Sequence, residues 1–174
     1  MSQRQLSFRR GQFWYGDFLV AVVILMIIGV LFVTSIRDLT TRNEIIKELI
    51  LDASDISSTV MSEGYGTKED WENFIGTIGF VKDYRFNTTK FGTDFRGISY
   101  QNQKAMLGTF NNVWIYLQNR DGLIIQSSSN DYTKLDDIEA DNIVSIKRFV
   151  FCNQGVGICE GHGDLYVLGV VVWR

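Results

Sequence analysis

The feature that most constrains this 174-residue chain is an uncharged apolar run near its start. Every residue from Phe18 to Val33 is apolar, and Thr34, Ser35 and Ile36 extend the run up to Arg37. As a helix, residues 18–36 span about 28 Å, which matches the hydrocarbon core of a bilayer. A helix that is apolar on every face cannot lie on the surface of a small soluble domain. The run therefore predicts a membrane-spanning helix.

The flanks of this run predict its orientation. Aromatic rings at 13–15 precede it, where amphipathic rings favour the membrane interface, and Arg37 closes its far end. The alternative is a cleaved secretory signal peptide, but no A-x-A-like site follows and a helical pattern continues. Arg4, Arg9 and Arg10 lie before the run, so the positive-inside rule predicts a cytoplasmic N-terminus. We expect a single-pass protein of the cell membrane whose C-terminal domain lies outside.

The helical period continues beyond the membrane. Apolar residues recur mostly three or four positions apart up to Val60, and neither Gly nor Pro occurs between Gly29 and Gly64. We predict one helix from about Asp17 to Met61; the alternative is two helices broken near 40–41. The predicted organisation is a cytoplasmic basic leader at 1–11, a transmembrane helix at 12–36, an amphipathic continuation at 37–63 and an extracytoplasmic α+β domain at 64–174.

Short elements follow the long helix. A capping box at 67–70 predicts a helical turn, and Ser99 predicts the start of a helix that ends at Gly108. The segments 78–81 and 87–91 are ambiguous, and we interpret them as a short strand and the start of a short helix.

The remainder predicts an antiparallel sheet of about four strands. Segments 113–117 and 123–126 flank Asp121-Gly122, a strong signal for a tight hairpin. Segments 143–152 and 165–173 provide the third and fourth strands. The last strand is apolar at nearly every position, so both of its faces should be covered. We expect the long helix on one face, and a small helix or a neighbouring subunit on the other. The fold class is α+β.

Two cysteines lie in or beside the loop between the last two strands. Cys152 and Cys159 would face an oxidising compartment, which favours a disulfide worth about 2.5 kcal/mol. The alternatives are free thiols or a metal site in which His162 and either Glu160 or Asp164 join the two thiols. A thiol–histidine catalytic pair is a further alternative, but nothing else in the sequence orients the imidazole.

Other motifs give weak signals. The acidic run 137–141 resembles the start of a calcium loop, but Asn142 replaces the required Gly, so we interpret it as a solvated turn. Asn87 begins a glycosylation sequon. The acidic outer domain lacks a basic patch with interleaved aromatic residues, which argues against nucleic-acid binding. With one His and no convergent acid–base set, we expect no enzyme activity, no metal and no cofactor.

The N-terminus resembles a known class of leader. Arg9-Arg10-Gly11 is followed by Gln12 and then by the apolar helix, as in the class III signal peptides of type IV pilin-like proteins, and Gln after the Gly resembles the archaeal members. The resemblance implies cleavage between Gly11 and Gln12 by a prepilin-type peptidase. It also implies that the apolar helices bundle in an assembly, with Asp17 setting their register. A long helix on a C-terminal antiparallel sheet, with a disulfide near the end, is likewise pilin-like.

Two functions follow from this sequence. The first is a structural subunit or minor pseudopilin of a type IV pilus-like surface or secretion assembly. Its partners would be the membrane, other pilin-like subunits or its own copies, and the peptidase. The alternative is an unprocessed, single-pass anchored binding or accessory module, which would use the sheet face around Trp114, Tyr116 and Trp173 to hold a partner.

Overall fold

The structure is a computed structural model that describes residues 4–82, 85–129, 131–132, 134–152 and 165–174, with side chains from residue 14 onward. The chain divides into two compact units, Met1–Glu44 and Ile45–Arg174. The described residues of the first unit are helical, and the second unit holds the sheet.

The long helix α1 spans Arg4–Val60, which is 57 residues. This confirms the prediction of one helix, although the helix begins earlier than the predicted start near Asp17. The threonines at the alternative break point do not interrupt it, and their hydroxyls donate to backbone carbonyls one turn earlier. Thr40 Oγ1 donates to the Ile36 carbonyl at 2.9 Å, and Thr41 Oγ1 donates to the Arg37 carbonyl at 3.0 Å.

In the second unit, α1 buries an apolar stripe formed by Leu49, Ala53, Ile56 and Val60, each at most 1% exposed. The spacings of four, three and four residues place these side chains on one helix face. The stripe packs into a core with the inner face of the sheet. We call the opposite side of the sheet the outer face.

The two short helices have the predicted caps. Helix α2 spans Lys68–Glu72, and its capping box is closed by the Thr67 N–H, which donates to the Asp70 carboxylate at 2.8 Å. Helix α3 spans Tyr100–Leu107 and begins at Ser99. It ends at Gly108, whose φ of +71° is the left-handed conformation that glycine adopts without strain.

Among the residues that the structure describes, the sheet has six strands, not about four, and it is mixed, not wholly antiparallel. The strands are β1 Val81–Lys82, β2 Arg85–Phe86, β3 Asn112–Gln118, β4 Ile124–Ser127, β5 Ile143–Cys152 and β6 Leu165–Trp173, in the order β1-β2-β5-β6-β3-β4. The β2–β5 pair is parallel and the other pairs are antiparallel. The sequence did not predict β2, because a strand of two residues has no periodicity to detect.

A cluster of aromatic rings fills one end of the inner core. A π-helical turn at Lys90–Phe95 lies where the sequence predicts the start of a short helix, and it delivers two phenylalanines to the cluster. Neighbouring ring centroids are 5.1 to 6.5 Å apart, mostly edge to face. The cluster consists of Trp71, Phe80, Phe86, Phe91 and Phe95, each at most 1% exposed.

The outer face has a smaller core at one end. Trp114, Tyr116 and Trp173 are at most 5% exposed there, beneath Tyr132 and Ile138 of the segment that joins β4 to β5. At this end, the second cover of the last strand is this chain's own connecting segment, which contains a short 3-10 helix at Leu135–Asp137. The three aromatic residues are also not available as the binding surface expected for an anchored module.

Candidate functional site

The first candidate site is the apolar part of α1. Among the described residues, one helical region, Trp14–Val60, is long and apolar enough to cross a membrane. Large apolar side chains are exposed on every side of it. The exposures over one full turn are 72% at Leu25, 64% at Met26, 55% at Ile27 and 60% at Ile28. Exposure of this extent is unfavourable in water, so this surface requires lipid or other protein around it.

The predicted processing and assembly residues lie at the start of this helix. Gly11 and Gln12 are helical, within Arg4–Val60. Asp17 is exposed one residue before the apolar run, and it forms no ion pair with any described side chain. Gly16 and Gly29 have no atom within 4 Å of where a Cβ would be, so both leave an open notch on the helix surface.

Of the predicted site residues in the second unit, the structure describes Cys152 and Asn87. Cys152 is 1% exposed at the end of β5, whereas Cys159 and His162 lie outside the described residues, so the disulfide and the alternative zinc set stay predictions. Asn87 is half-buried, and its Oδ1 accepts a hydrogen bond from the Lys90 N–H at 2.9 Å. Its glycosylation stays a prediction.

The acidic run 137–141 forms no metal site among the residues that the structure describes. No group of three or more His, Cys, Asp or Glu side chains is placed to hold a metal ion in this part of the chain. Asp136, Asp137, Glu139 and Asp141 are all exposed to solvent. Their exposure agrees with a solvated acidic turn.

A polar clasp that the sequence did not predict ties the α3–β3 loop to α1. Asp52 Oδ2 accepts hydrogen bonds from Thr109 Oγ1 and from Asn111 Nδ2, both at 2.7 Å. Thr109 and Asn111 are each 6% exposed, and the Thr109 hydroxyl also accepts the Asn111 backbone N–H at 3.1 Å. The only sequence signal is that Asp52 lies beside the apolar stripe, between Leu49 and Ala53.

A lysine is held against the aromatic cluster. Lys90 Nζ lies 5.0 Å from the centroid of the Trp71 ring and donates to the Gly64 carbonyl at 2.6 Å. Burial lowers the pKa of Lys90 below its ordinary value, because removal from water disfavours the charged form. This lysine joins the loop after α1 to the aromatic core, and its contacts are explained by that structural role.

A cleft opens beside the C-terminal end of α1. Its volume is about 510 Å³, and hydroxyls from Thr59, Ser62 and Thr77 line it together with Met106 and Phe74. Phe74 is 58% exposed and has a φ of +57°, which is uncommon for a bulky side chain. The cleft can accept a small ligand or an exposed side chain of another molecule.

Comparison of the chain with protein-family models, curated proteins and solved structures found no match. Function is therefore inferred from the residues and their arrangement.

Proposed function

We propose that the chain is a structural subunit or minor pseudopilin of a type IV pilus-like surface or secretion assembly. The observation that carries the proposal is the exposed apolar surface of α1 between Phe18 and Ile36, in a helix that continues into the stripe packed on the sheet. The leader that ends at Gly11 supports it through its resemblance to class III signal peptides.

In this proposal the chain acts by assembly. The apolar helix first anchors the chain, with the N-terminus in the cytoplasm and the sheet domain outside, as the arginines of the leader favour. After cleavage, the helices leave the bilayer and bundle, so that subunits replace lipid around the apolar side chains. Asp17 then needs a polar partner from another subunit, because an unpaired carboxylate is costly in apolar surroundings.

The mature N-terminus tests the proposal. Mass spectrometry of protein purified from native membranes should show a chain that begins at Gln12. Gly11→Val should block cleavage, because the peptidase requires a small residue before the cut, whereas Gly16→Val is a matched control that should leave cleavage intact. A wild-type chain that begins at Met1, or at Ser2, would contradict the processed subunit.

The role of Asp17 gives an independent test. Asp17→Ala should reduce the yield of assembled complex while membrane insertion stays unchanged. Asp38→Ala is the control, since Asp38 is an exposed carboxylate of the same helix beyond the apolar run. Equal yields of complex from wild type and Asp17→Ala would count against the proposed register contact.

The proposal includes the disulfide between Cys152 and Cys159. The support for it is that Cys152 is buried at the end of β5, as half of a buried disulfide would be. Alkylation of unreduced, denatured protein should modify neither cysteine, and modification should appear after reduction. Alkylation of both thiols without reduction would overturn the assignment.

The second candidate is an unprocessed anchored binding or accessory module. The cleft lined by Thr59, Ser62, Thr77 and Phe74 favours it, because an assembly subunit has no evident need for a hydroxyl-lined cleft beside an exposed aromatic ring. An intact N-terminus in native membranes would make this candidate the better one.

A further inference from the structure

The cleft beside the C-terminal end of α1 holds an aromatic ring at an unusual backbone position. Phe74 lines this cleft and lies just after α2. Its N–H donates to the Trp71 carbonyl at 3.0 Å, and the N–H of Ile75 donates to the Asp70 carbonyl at 2.9 Å. Together these bonds form a Schellman motif, whose left-handed residue is usually glycine. In this chain a phenylalanine with a φ of +57° occupies that glycine position.

Packing does not explain a phenylalanine at this position. A bulky side chain is strained at positive φ, whereas glycine adopts this conformation freely and asparagine tolerates it. Contacts with a core can offset such strain, but Phe74 is 58% exposed. Strained residues cluster at ligand-binding sites. The exposed ring therefore indicates a ligand in the cleft.

The cleft offers its ligand no charged side chain. None of the described residues that line it carries a charge. A phosphate, carboxylate or ammonium group would lose water on entering the cleft and would meet no opposite charge, which is unfavourable. The volume of about 510 Å³ lies in the range of sites for small ligands, roughly 300–1,000 Å³. The lining therefore favours a small neutral ligand.

Three hydroxyls in the cleft are available to such a ligand. Thr59 is half-buried, and its hydroxyl makes no hydrogen bond with any residue that the structure describes. Ser62 Oγ donates to the Thr59 carbonyl at 2.7 Å, which leaves its lone pairs to accept. Thr77 Oγ1 accepts the Tyr65 N–H at 3.5 Å, which leaves its O–H to donate. The cleft thus presents both donors and acceptors beside an aromatic ring.

We propose that this cleft binds a neutral saccharide. A sugar ring has an apolar face of C–H groups and a rim of hydroxyls, each of which can donate and accept. The apolar face packs on the Phe74 ring, and the rim forms hydrogen bonds with Thr59, Ser62 and Thr77. An entirely apolar ligand would leave these three hydroxyls without partners, which is costly once water is excluded.

The proposal goes beyond both candidate functions. The cleft consists of residues of the second unit alone, so it requires neither cleavage at Gly11 nor assembly of the apolar helices. The mature N-terminus decides between the processed subunit and the anchored module, whereas sugar binding is measured on either form. Failure of one proposal is therefore distinguishable from failure of the other.

Saturation-transfer difference NMR tests the site on the full chain, in micelles of a detergent without a sugar headgroup. The probes are glucose, galactose, mannose, N-acetylglucosamine and N-acetylgalactosamine at millimolar concentration. We expect transfer of saturation from the protein to the C–H protons of at least one of these sugars. The 6-phosphate of that sugar should bind no more tightly than the neutral form, because no cation lines the cleft.

Substitution of Phe74 separates binding from folding. Phe74→Asn should weaken sugar binding by roughly tenfold, because it removes the ring. Its midpoint of urea unfolding should be at least that of wild type, since asparagine tolerates positive φ. Phe74→Trp should retain binding. Phe149→Asn is the matched control, because Phe149 is an aromatic residue of β5 that is 72% exposed outside the cleft, and this variant should bind like wild type.

Substitution of a hydroxyl tests the polar side of the cleft. Thr59→Val keeps the shape of the side chain and removes its O–H, so it should weaken binding by roughly three- to tenfold. Thr41→Val is the control, an exposed threonine earlier in α1, and it should leave binding unchanged.

Four results would overturn the proposal. The first is wild-type protein that transfers saturation to none of the sugars. The second is transfer only to N-acetyltyrosinamide, an uncharged aromatic probe, which would assign the cleft to a side chain of a protein partner. The third is sugar binding that neither Phe74→Asn nor Thr59→Val weakens, which would place the sugar elsewhere. The fourth is a lower unfolding midpoint for Phe74→Asn than for wild type, because the ring would then serve the fold.

Discussion

Removal of the Asp52 carboxylate should destabilise the second unit by about 2–3 kcal/mol. Asp52 accepts two short hydrogen bonds, and hydrogen bonds to charged groups contribute roughly 1.5–3 kcal/mol each. Asp52 is half-buried, so in the variant water replaces part of the lost hydrogen-bond energy. The donors on Thr109 and Asn111 are nearly inaccessible, at 6% exposure each, and Asp52→Ala leaves both without their acceptor.

Urea unfolding of the full chain in detergent micelles measures this effect. Tryptophan fluorescence reports on it, because Trp71, Trp114 and Trp173 are buried in the second unit. Asp55→Ala is the matched control, an exposed carboxylate one turn further along the same helix, and it should change the free energy of unfolding by less than about 0.5 kcal/mol.

A double-mutant cycle separates the clasp from other effects of the substitution. Thr109→Val combined with Asp52→Ala should give a coupling energy of about 1 kcal/mol, since the two residues contact each other directly. An Asp52→Ala variant as stable as Asp55→Ala, or a coupling energy near zero, would refute the structural role of the clasp.

Three further predictions concern single residues. Gly169→Ala should destabilise the second unit by about 1–3 kcal/mol in the same urea assay. The Cβ of the new alanine would lie 2.1 Å from the ring of Tyr116, a buried side chain that is 5% exposed. Unchanged stability would contradict the close approach of Gly169 to this ring. Gly108→Ala should lower the free energy of unfolding by about 1 kcal/mol through backbone strain alone, because φ at this residue is +71° and no atom lies within 4 Å of the new Cβ. A loss of stability as large as that of Gly169→Ala would argue against backbone strain as the cause. Burial raises the pKa of Tyr100 above its ordinary value of 10.0. The stability that the neutral phenol contributes is therefore complete below pH 10 and is lost as the pH rises through the higher folded-state pKa. In a measurement of the free energy of unfolding against pH, Tyr100→Phe should remove this part of the loss of stability at alkaline pH.

Sequence patterns predict the elements whose signals are local. The bounds of β5 and β6 agree with the predicted segments 143–152 and 165–173, because their alternation and apolar character extend over nine or more residues. The capping box of α2 and the glycine stop of α3 were also predicted, since each depends on a few adjacent residues.

The remaining features depend on contacts between distant segments. The pairing of β2 with β5 joins Phe86 to Cys152, and neither residue carries a signal for the other. The cover over Trp114 depends on Ile138 and Tyr132 in a segment too polar to predict as part of a core. The Asp52 clasp joins residues 57 and 59 positions apart. The role proposed for Asp17 would depend on a neighbouring subunit, so the structure of one chain cannot test it.

The position of β6 in the sheet has a consequence for biosynthesis. β3 and β5 pair with β6 and not with each other, and β6 follows every other strand of the sheet in the chain. Until residues 165–173 have been synthesised, the growing polypeptide can form the β3–β4 hairpin but cannot unite it with β5. Domain folding must therefore wait for the last strand, and an interrupted translation product exposes two unpaired strand edges, which quality-control proteases and chaperones recognise.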